Sequence, residues 1–338
     1  MAYKRLVTDC ALDRTAVGFN PNISGKEATE YAELAEARGL ESFWVHENPF
    51  IKDAVSLMSS AIPATSQIKI GSGCVSVITR HPLLVASTFV SLDEMSGGRV
   101  RMGVGLGGFP WLPKIGVKVF PVQESKPLKR IKEFLTIIDK LLTGESVSLE
   151  GEFYKVTDIK LDSKPKHRPP IYLAAFGERL LRMSPTFADG VIISPALMTP
   201  EVTGQKVRFV RESESSGRRS DIASYVLTSV SEDLEKARQV IKSYYFLIYQ
   251  VADVLPPVIF EPYGLKPGDL EPIKEAWRRK DLAAAARAMP DEVVEALTLT
   301  GDPDHCVERL KAYRKAGVDL PILMPIGDIR AAIEAFTI

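Results

Sequence analysis

Gly71-Ser72-Gly73-Cys74-Val75, followed closely by Thr79-Arg80-His81-Pro82, is the stretch that decides the expected fold. A buried strand is predicted from Lys69 to Ser72, ending at a glycine. A helix is predicted to begin near Pro82, because the missing N–H of proline is harmless in a first helical turn. Glycine has no Cβ, so the backbone where a barrel strand ends can approach a flat ring closely. The stretch therefore predicts a strand–helix unit with a ligand contact between its two elements.

The same unit recurs along the chain, because short β-branched runs alternate with longer amphipathic segments. The predicted strands lie at 17–19, 42–45, 69–72, 100–105, 171–173, 190–194, 223–229 and 320–324. Eight such units predict an α/β fold, the (β/α)8 TIM barrel. A doubly wound open sheet with a small second domain is the alternative. We expect a single domain over 1–338, with insertions near 106–126, 147–165 and 250–290.

Composition narrows the class of protein. The chain carries 43 basic and 43 acidic residues, whereas nonspecific binders of nucleic acid or membrane surfaces usually carry a basic excess. No apolar run approaches the roughly 18 residues that span a bilayer, and no apolar signal core follows Met1–Arg5. Three cysteines without a Cys-x-x-Cys pair and four histidines without ligand spacing predict neither disulfides nor a metal site. We expect a cytoplasmic protein that acts on a small molecule.

The most polar strand end is His46-Glu47-Asn48. The carboxyl ends of barrel strands are where catalytic groups gather. An acid and an imidazole at such an end could deliver or take a proton beside a bound substrate. The alternative is that both side chains only form hydrogen bonds with neighbouring loops.

Two glycine-containing strand ends are candidate cofactor contacts. Gly103–Gly108 (GVGLGG) resembles a dinucleotide fingerprint only superficially, because its spacing differs and it leads into a loop. Gly105 is interpreted as opening a cofactor cleft, with loop flexibility as the alternative. Gly177 precedes a predicted helix whose free N–H groups could hold a cofactor phosphate. A simple turn glycine is the alternative there.

Leu92–Arg99 (LDEMSGGR), together with Met102–Gly105 (MGVG), resembles the luciferase-like flavin and deazaflavin barrel superfamily. Within it, Pro170–Gly177 (PIYLAAFG) and the segments 188–190 and 256–265 are similar to the methylenetetrahydromethanopterin reductases. The likeness runs over about 16–336. The resemblance implies coenzyme F420 as cofactor, with FMN as the alternative, and a C1-carrying tetrahydropterin as substrate. It also implies a homodimer or higher homo-oligomer.

The resemblance further implies a non-prolyl cis peptide bond at Gly73–Cys74, behind the deazaflavin ring. The expected cofactor-binding residues are Gly73, Cys74, Val75, Gly105, Ala175, Phe176, Gly177 and Ser194. Glu47 is the preferred proton donor and His46 the second. Gly18 departs from the pattern, since the methanogen reductases carry a glutamate in this strand.

The expected function is therefore an F420-dependent oxidoreductase that transfers a hydride between the deazaflavin and the tetrahydropterin. An FMN-dependent luciferase-like monooxygenase is one alternative. A non-catalytic flavin-binding barrel is the other.

Overall fold

The computed structural model describes residues 14–107, 112–117, 126–193 and 197–337. Its strands are β1 (Ala16–Phe19), β2 (Ser42–Val45), β3 (Lys69–Ser72), β4 (Val75–Ser76), β5 (Val100–Gly105), β6 (Val147–Glu150), β7 (Lys155–Ile159), β8 (Ile171–Ala175), β9 (Gly190–Ile193), β10 (Asp221–Val230), β11 (Thr298–Gly301) and β12 (Leu320–Pro325). Eight of them form a parallel ring in the order β1-β2-β3-β5-β8-β9-β10-β12. Because β12 pairs back with β1, the ring is closed. The predicted barrel is confirmed, and the open sheet is excluded.

Helices follow the strands and surround the ring. They are α1 (Gly25–Ala37), α2 (Ala54–Ala61), α3 (Pro82–Ser96), α4 (Pro127–Thr143), α5 (Glu178–Phe187), α6 (Pro200–Arg211), α7 (Leu234–Lys242), α8 (Tyr245–Tyr249), α9 (Glu271–Arg278), α10 (Leu282–Ala288), α11 (Asp291–Leu297), α12 (Pro303–Lys315) and α13 (Ile329–Ala335). Their starts follow local sequence rules: Ser24 and Glu27 form a reciprocal capping box on α1, and Pro82 occupies the first turn of α3. None of the helices in the described ranges is long and apolar enough to cross a membrane.

The larger hydrophobic core lies between the outer faces of the strands and the helices, where Phe43 and Phe89 are fully buried. A second core fills the inside of the ring with the large side chains of Trp44, Tyr172 and Tyr225. Side chains alternate along a strand, so most strands of the ring contribute to both cores. Strands β3 and β5 contribute only to the outer one.

Ionic contacts close the amino-terminal end of the ring, which we call the floor. Arg14 Nε lies 2.6 Å from Glu41 Oε2, and Arg14 Nη2 lies 2.7 Å from Asp221 Oδ2. Arg101 Nη2 lies 2.5 Å from Glu41 Oε1, and the Tyr172 hydroxyl donates to Asp221 Oδ2 over 2.6 Å. The floor therefore joins β5, β8 and β10 with the segments that precede β1 and β2.

Two segments extend the barrel between strands. The hairpin β6–β7 lies between α4 and β8, and helices α7 to α11 lie between β10 and β11, together with irregular helical turns at Gln250–Val254, Pro257–Tyr263 and Pro267–Leu270. The expected insertion near 106–126 falls largely outside the described residues. Strand β11 is a correction to the predicted set of strands. It pairs with Leu227–Val230 of β10, beyond the point where β10 separates from β9, and it stays outside the ring.

Candidate active site

Small residues (Gly73, Gly105 and Ala174) occupy inward positions of three neighbouring strands at the carboxyl-terminal end of the ring, which we call the mouth. A Cβ added at Gly105 would lie 2.6 Å from Cys74 Sγ and 3.1 Å from Ala174 Cβ. A Cβ added at Gly73 would lie 1.7 Å from the hydroxyl oxygen of Tyr225. Any larger residue at either glycine would therefore collide with its neighbours. The structure thus brings three predicted site residues, Gly73, Cys74 and Gly105, together at the mouth.

The segment after β3 forms an irregular crossing between strands. The Gly73–Cys74 peptide bond is cis, as the resemblance implied. The Gly73 N–H donates to the Val45 carbonyl over 2.7 Å. The Ser72 hydroxyl donates to the Gly103 carbonyl and accepts from the Gly103 N–H, each over 2.9 Å. These bonds fix the bulge between β2 and β5.

Two predicted cofactor residues direct their side chains away from the mouth. The side chains of Val75 and Ala175 are both almost completely buried in the core between the strands and the helices. Ala174, one residue earlier, is the member of β8 that contacts the Gly105 position. Side-chain alternation explains the difference, since neighbouring residues of a strand face opposite sides.

Glu47 lies beside the bulge and is held by two donors. Its Oε1 lies 2.7 Å from Arg80 Nε, and its Oε2 accepts the Ser76 N–H over 3.0 Å. Arg80 also pairs with Asp53, which caps α2. Burial raises the pKa of Glu47 above its usual value, although the Arg80 guanidinium opposes that shift. Burial also raises the pKa of the Cys74 thiol to about 12, with Glu47 adding to the effect, so this thiol stays protonated at neutral pH.

His46 packs against Tyr225, a residue that the sequence analysis missed. The two rings meet edge to face, with their centroids 4.2 Å apart and their planes at 87°. Burial lowers the pKa of His46 to about 4 and raises that of Tyr225 well above its usual value. Both side chains are therefore neutral at neutral pH. The sequence signals this inward phenol in one way, because every second residue of β10 points to the same side: Ala223, Tyr225 and Leu227.

The end of β8 combines an aromatic ring with a cation. Phe176 is 54% exposed, and the Lys206 ammonium lies 3.8 Å above the centre of its ring. Lys206 also donates to the Phe176 carbonyl over 2.8 Å. Gly177 precedes the first turn of α5, and nothing lies within 4 Å of a Cβ added there. Lys206 was missed, because only the fold brings α6 beside β8. Ser194 lies outside the described residues.

Comparisons with known proteins place this barrel in a family. A family model described as luciferase-like monooxygenase matches residues 10–320. The chain belongs to the luciferase-like monooxygenase family. The predicted superfamily is therefore confirmed.

Relatives of this luciferase-like chain include F420-dependent enzymes. The 5,10-methylenetetrahydromethanopterin reductase of Archaeoglobus fulgidus is 29% identical over 318 residues, which is 92% of this chain and 93% of that protein. The coenzyme F420-dependent tetrahydromethanopterin reductase of Methanopyrus kandleri has a solved structure with a TM-score of 0.84 and 26% identity, covering 95% of this chain and 96% of that one. The F420-dependent glucose-6-phosphate dehydrogenase of Amycolatopsis mediterranei is 25% identical over 309 residues, covering 87% and 86%. The relatives thus differ in the substrate that their names give.

Proposed function

We propose that this chain is a coenzyme F420-dependent oxidoreductase that transfers a hydride between the deazaflavin and a C1-carrying tetrahydropterin. The likeness to the F420-dependent tetrahydromethanopterin reductase, over almost the whole of both chains, carries this proposal. Dependence on F420 is the more general part of the proposal, and the names of several relatives support it. The identity of the substrate, a tetrahydropterin, is the more specific part of the proposal.

The residues at the mouth fit a flat tricyclic cofactor. Gly18 and Gly73 have no side chains and make room for Tyr225, and Gly105 lies against Cys74 Sγ. His46 Nε2 and the Tyr225 hydroxyl are buried there without a hydrogen-bond partner in the described part of the chain. A heterocycle with polar edges would satisfy such atoms. The polarity of these two atoms supports a bound deazaflavin at the mouth.

Each neighbouring element has a role in this proposal. The backbone of Gly73 and Cys74 would support the ring, with Gly105 beside them. Lys206 and the free N–H groups at the start of α5 hold the phosphate, because both favour negative charge. Phe176 would contact the part of the cofactor between ring and phosphate. Val75 and Ala175 would contribute backbone contacts only, and Ser194 stays a contact expected from the sequence. The deazaflavin supplies the hydride when it is bound.

Glu47 is the proposed proton donor. Reduction of a methylene bridge between two nitrogens to a methyl group consumes one hydride at carbon and one proton at the nitrogen that is released. A carboxyl whose pKa is raised by burial holds a proton closer to neutral pH and can deliver it. His46 is the second candidate, but burial keeps its imidazole neutral.

The test has a binding step and a turnover step. Difference-absorbance titration of the purified protein with F420 is expected to saturate. Oxidation of reduced F420 is then measured without oxygen, with methylenetetrahydromethanopterin as acceptor. Failure to bind F420 contradicts the whole proposal. F420 reduction by glucose 6-phosphate, without pterin turnover, supports dependence on F420 and overturns the tetrahydropterin as substrate. Release of FMN on denaturation, together with oxygen consumption, favours the monooxygenase alternative.

A further inference from the structure

Tyr225 of β10 occupies space that side chains on two other strands would need. A Cβ added at Gly18 would lie 2.5 Å from Tyr225 Cε1. A Cβ added at Gly73 would lie 1.7 Å from the Tyr225 hydroxyl oxygen. The phenol therefore reaches across the ring from β10 to the ends of β1 and β3. Only glycines at these two positions admit it.

The hydroxyl of Tyr225 has no hydrogen-bond partner within the described residues, although the residue is only 6% exposed. Burying a hydroxyl without replacing its bonds to water is unfavourable, and most buried tyrosines find a partner. Tyr172 donates to Asp221 over 2.6 Å, and Tyr313 donates to the Met198 carbonyl over 2.9 Å. Phenylalanine would fill the space of Tyr225 without that penalty. The hydroxyl is thus a group whose partner the described chain does not supply.

His46 places a second buried polar atom without a hydrogen-bond partner in the described residues near the Tyr225 hydroxyl. Its Nε2 is also buried without a partner in the described residues. A Cβ added at Gly73 would lie 3.4 Å from His46 Cδ2, the atom bonded to Nε2. The two unpartnered polar atoms therefore lie close together, on the side of Gly73 where a Cβ would be. A ligand edge that reaches this side of Gly73 would come near both.

We propose that the Tyr225 hydroxyl and His46 Nε2 together receive a lactam edge, an adjacent C=O and N–H, of the heterocycle bound at the mouth. The hydroxyl donates to the carbonyl oxygen, and the neutral imidazole accepts the N–H. This assignment rests on the proposed function and adds to it the groups that recognise the ring. A deazaflavin and a pterin both carry such an edge on their pyrimidine ring. Two neutral protein groups suit it, because a lactam is uncharged.

The test compares two tyrosine variants inside the same ring. Tyr225→Phe removes only the unpartnered hydroxyl, and Tyr172→Phe removes a partnered one at the floor. F420 affinity, the KM for the methylene-tetrahydropterin and the midpoint of thermal unfolding are measured for both. We expect Tyr225→Phe to weaken one of the two ligands about tenfold, the effect of one neutral hydrogen bond. Its unfolding midpoint should equal or exceed that of the wild type. Tyr172→Phe should unfold earlier and bind F420 as the wild type does.

The outcomes show which ligand carries the lactam edge. They also distinguish failure of this assignment from failure of the proposed function. Weaker F420 binding by Tyr225→Phe places the lactam on the cofactor, whereas a higher KM alone places it on the substrate. Unchanged values for both ligands overturn the assignment. An unfolding midpoint for Tyr225→Phe as low as that of Tyr172→Phe also overturns it, because the hydroxyl would then stabilise the chain itself. A wild-type protein that binds neither ligand overturns the proposed function, and this assignment with it.

Discussion

Arg80 Nε lies 2.7 Å from Glu47 Oε1, so the proposed acid of the mouth carries its own counter-charge. The same carboxylate accepts the Ser76 N–H from the segment after β3. Burial and the guanidinium act on the pKa of Glu47 in opposite directions, and burial prevails. The proton affinity of this group is therefore adjustable from a neighbouring residue.

Replacing Arg80 by glutamine should extend activity to higher pH. Loss of the positive charge raises the pKa of Glu47 further, and a general acid works only below its pKa. The alkaline limb of the plot of kcat/KM against pH is expected to move to higher pH. Asp53→Asn is the matched control, because the Asp53 carboxylate raises the pKa of Glu47 and its removal should move the limb downward. Limbs that stay in place in both variants would remove Glu47 from the proton transfer.

Glu47→Gln should lower turnover by about a hundredfold or more, the usual contribution of a general acid. F420 affinity should stay close to that of the wild type, because the amide keeps the shape of the carboxyl. Glu41→Gln serves as control, since Glu41 is another largely buried glutamate, which pairs with Arg14 and Arg101 at the floor. That variant is expected to lose stability rather than turnover. Normal turnover of Glu47→Gln would assign proton delivery to another group.

His46 should make the protein less stable as the pH falls. Its folded pKa of about 4 lies below the usual 6.5, so the unfolded chain binds more protons between these values. The free energy of unfolding therefore decreases as the pH falls through that window, by up to about 3 kcal/mol. Urea unfolding of the wild type and of His46→Gln at both ends of the window measures the effect. The variant should lose less stability, and equal slopes would contradict a buried neutral imidazole.

Gly18→Ala should destabilise the barrel. The new Cβ would lie 2.5 Å from Tyr225 Cε1 and 2.9 Å from Ile322 Cγ2, and such overpacking usually costs about 1–3 kcal/mol. Gly268→Ala is the control, because nothing lies within 4 Å of a Cβ there. Chemical unfolding compares the two. Equal stability of the variants would mean that the Tyr225 ring can move aside.

Glu133→Ala should loosen the turn between β6 and β7. The Glu133 carboxylate accepts the N–H groups of Glu152, Phe153 and Tyr154 over 2.9 to 3.2 Å. Burial alone would raise the pKa of Glu133, but these bonds outweigh it and lower the pKa. We expect lower protection factors, that is exchange rates divided into the intrinsic rate at the same pH, at the three amides in the variant, and in the wild type as falling pH protonates Glu133. Unchanged exchange in Glu133→Ala would show that the hairpin holds its turn without this carboxylate.

The ring was predictable from the sequence because each strand carries a local signal. Strand β3, for example, combines apolar residues with a terminal glycine and a helix-starting Pro82. Strand β11 was missed, since its four residues pair only with a part of β10 that has already left β9. Which strand ends face the mouth could be only partly predicted, as Val75 and Ala175 show. The side of the sheet to which a side chain points depends on the strand register, and a shift of one residue reverses it.

The chemical partners at the mouth were harder to predict. Tyr225 sits in an ordinary apolar run, and its significance comes from Gly18 and Gly73, which lie far away in sequence. Lys206 likewise reaches Phe176 only because α6 packs beside β8. Contacts of this kind arise from closure of the barrel and leave no local pattern.

The floor has a consequence for the order of events during catalysis. Arg14, Glu41 and Asp221 seal one end of the ring, and large side chains occupy its centre. In the proposed reaction both ligands would enter and leave through the mouth, so the inner one would bind first and leave last. Steady-state kinetics should accordingly follow a compulsory sequence, with the spent outer molecule leaving before the inner one.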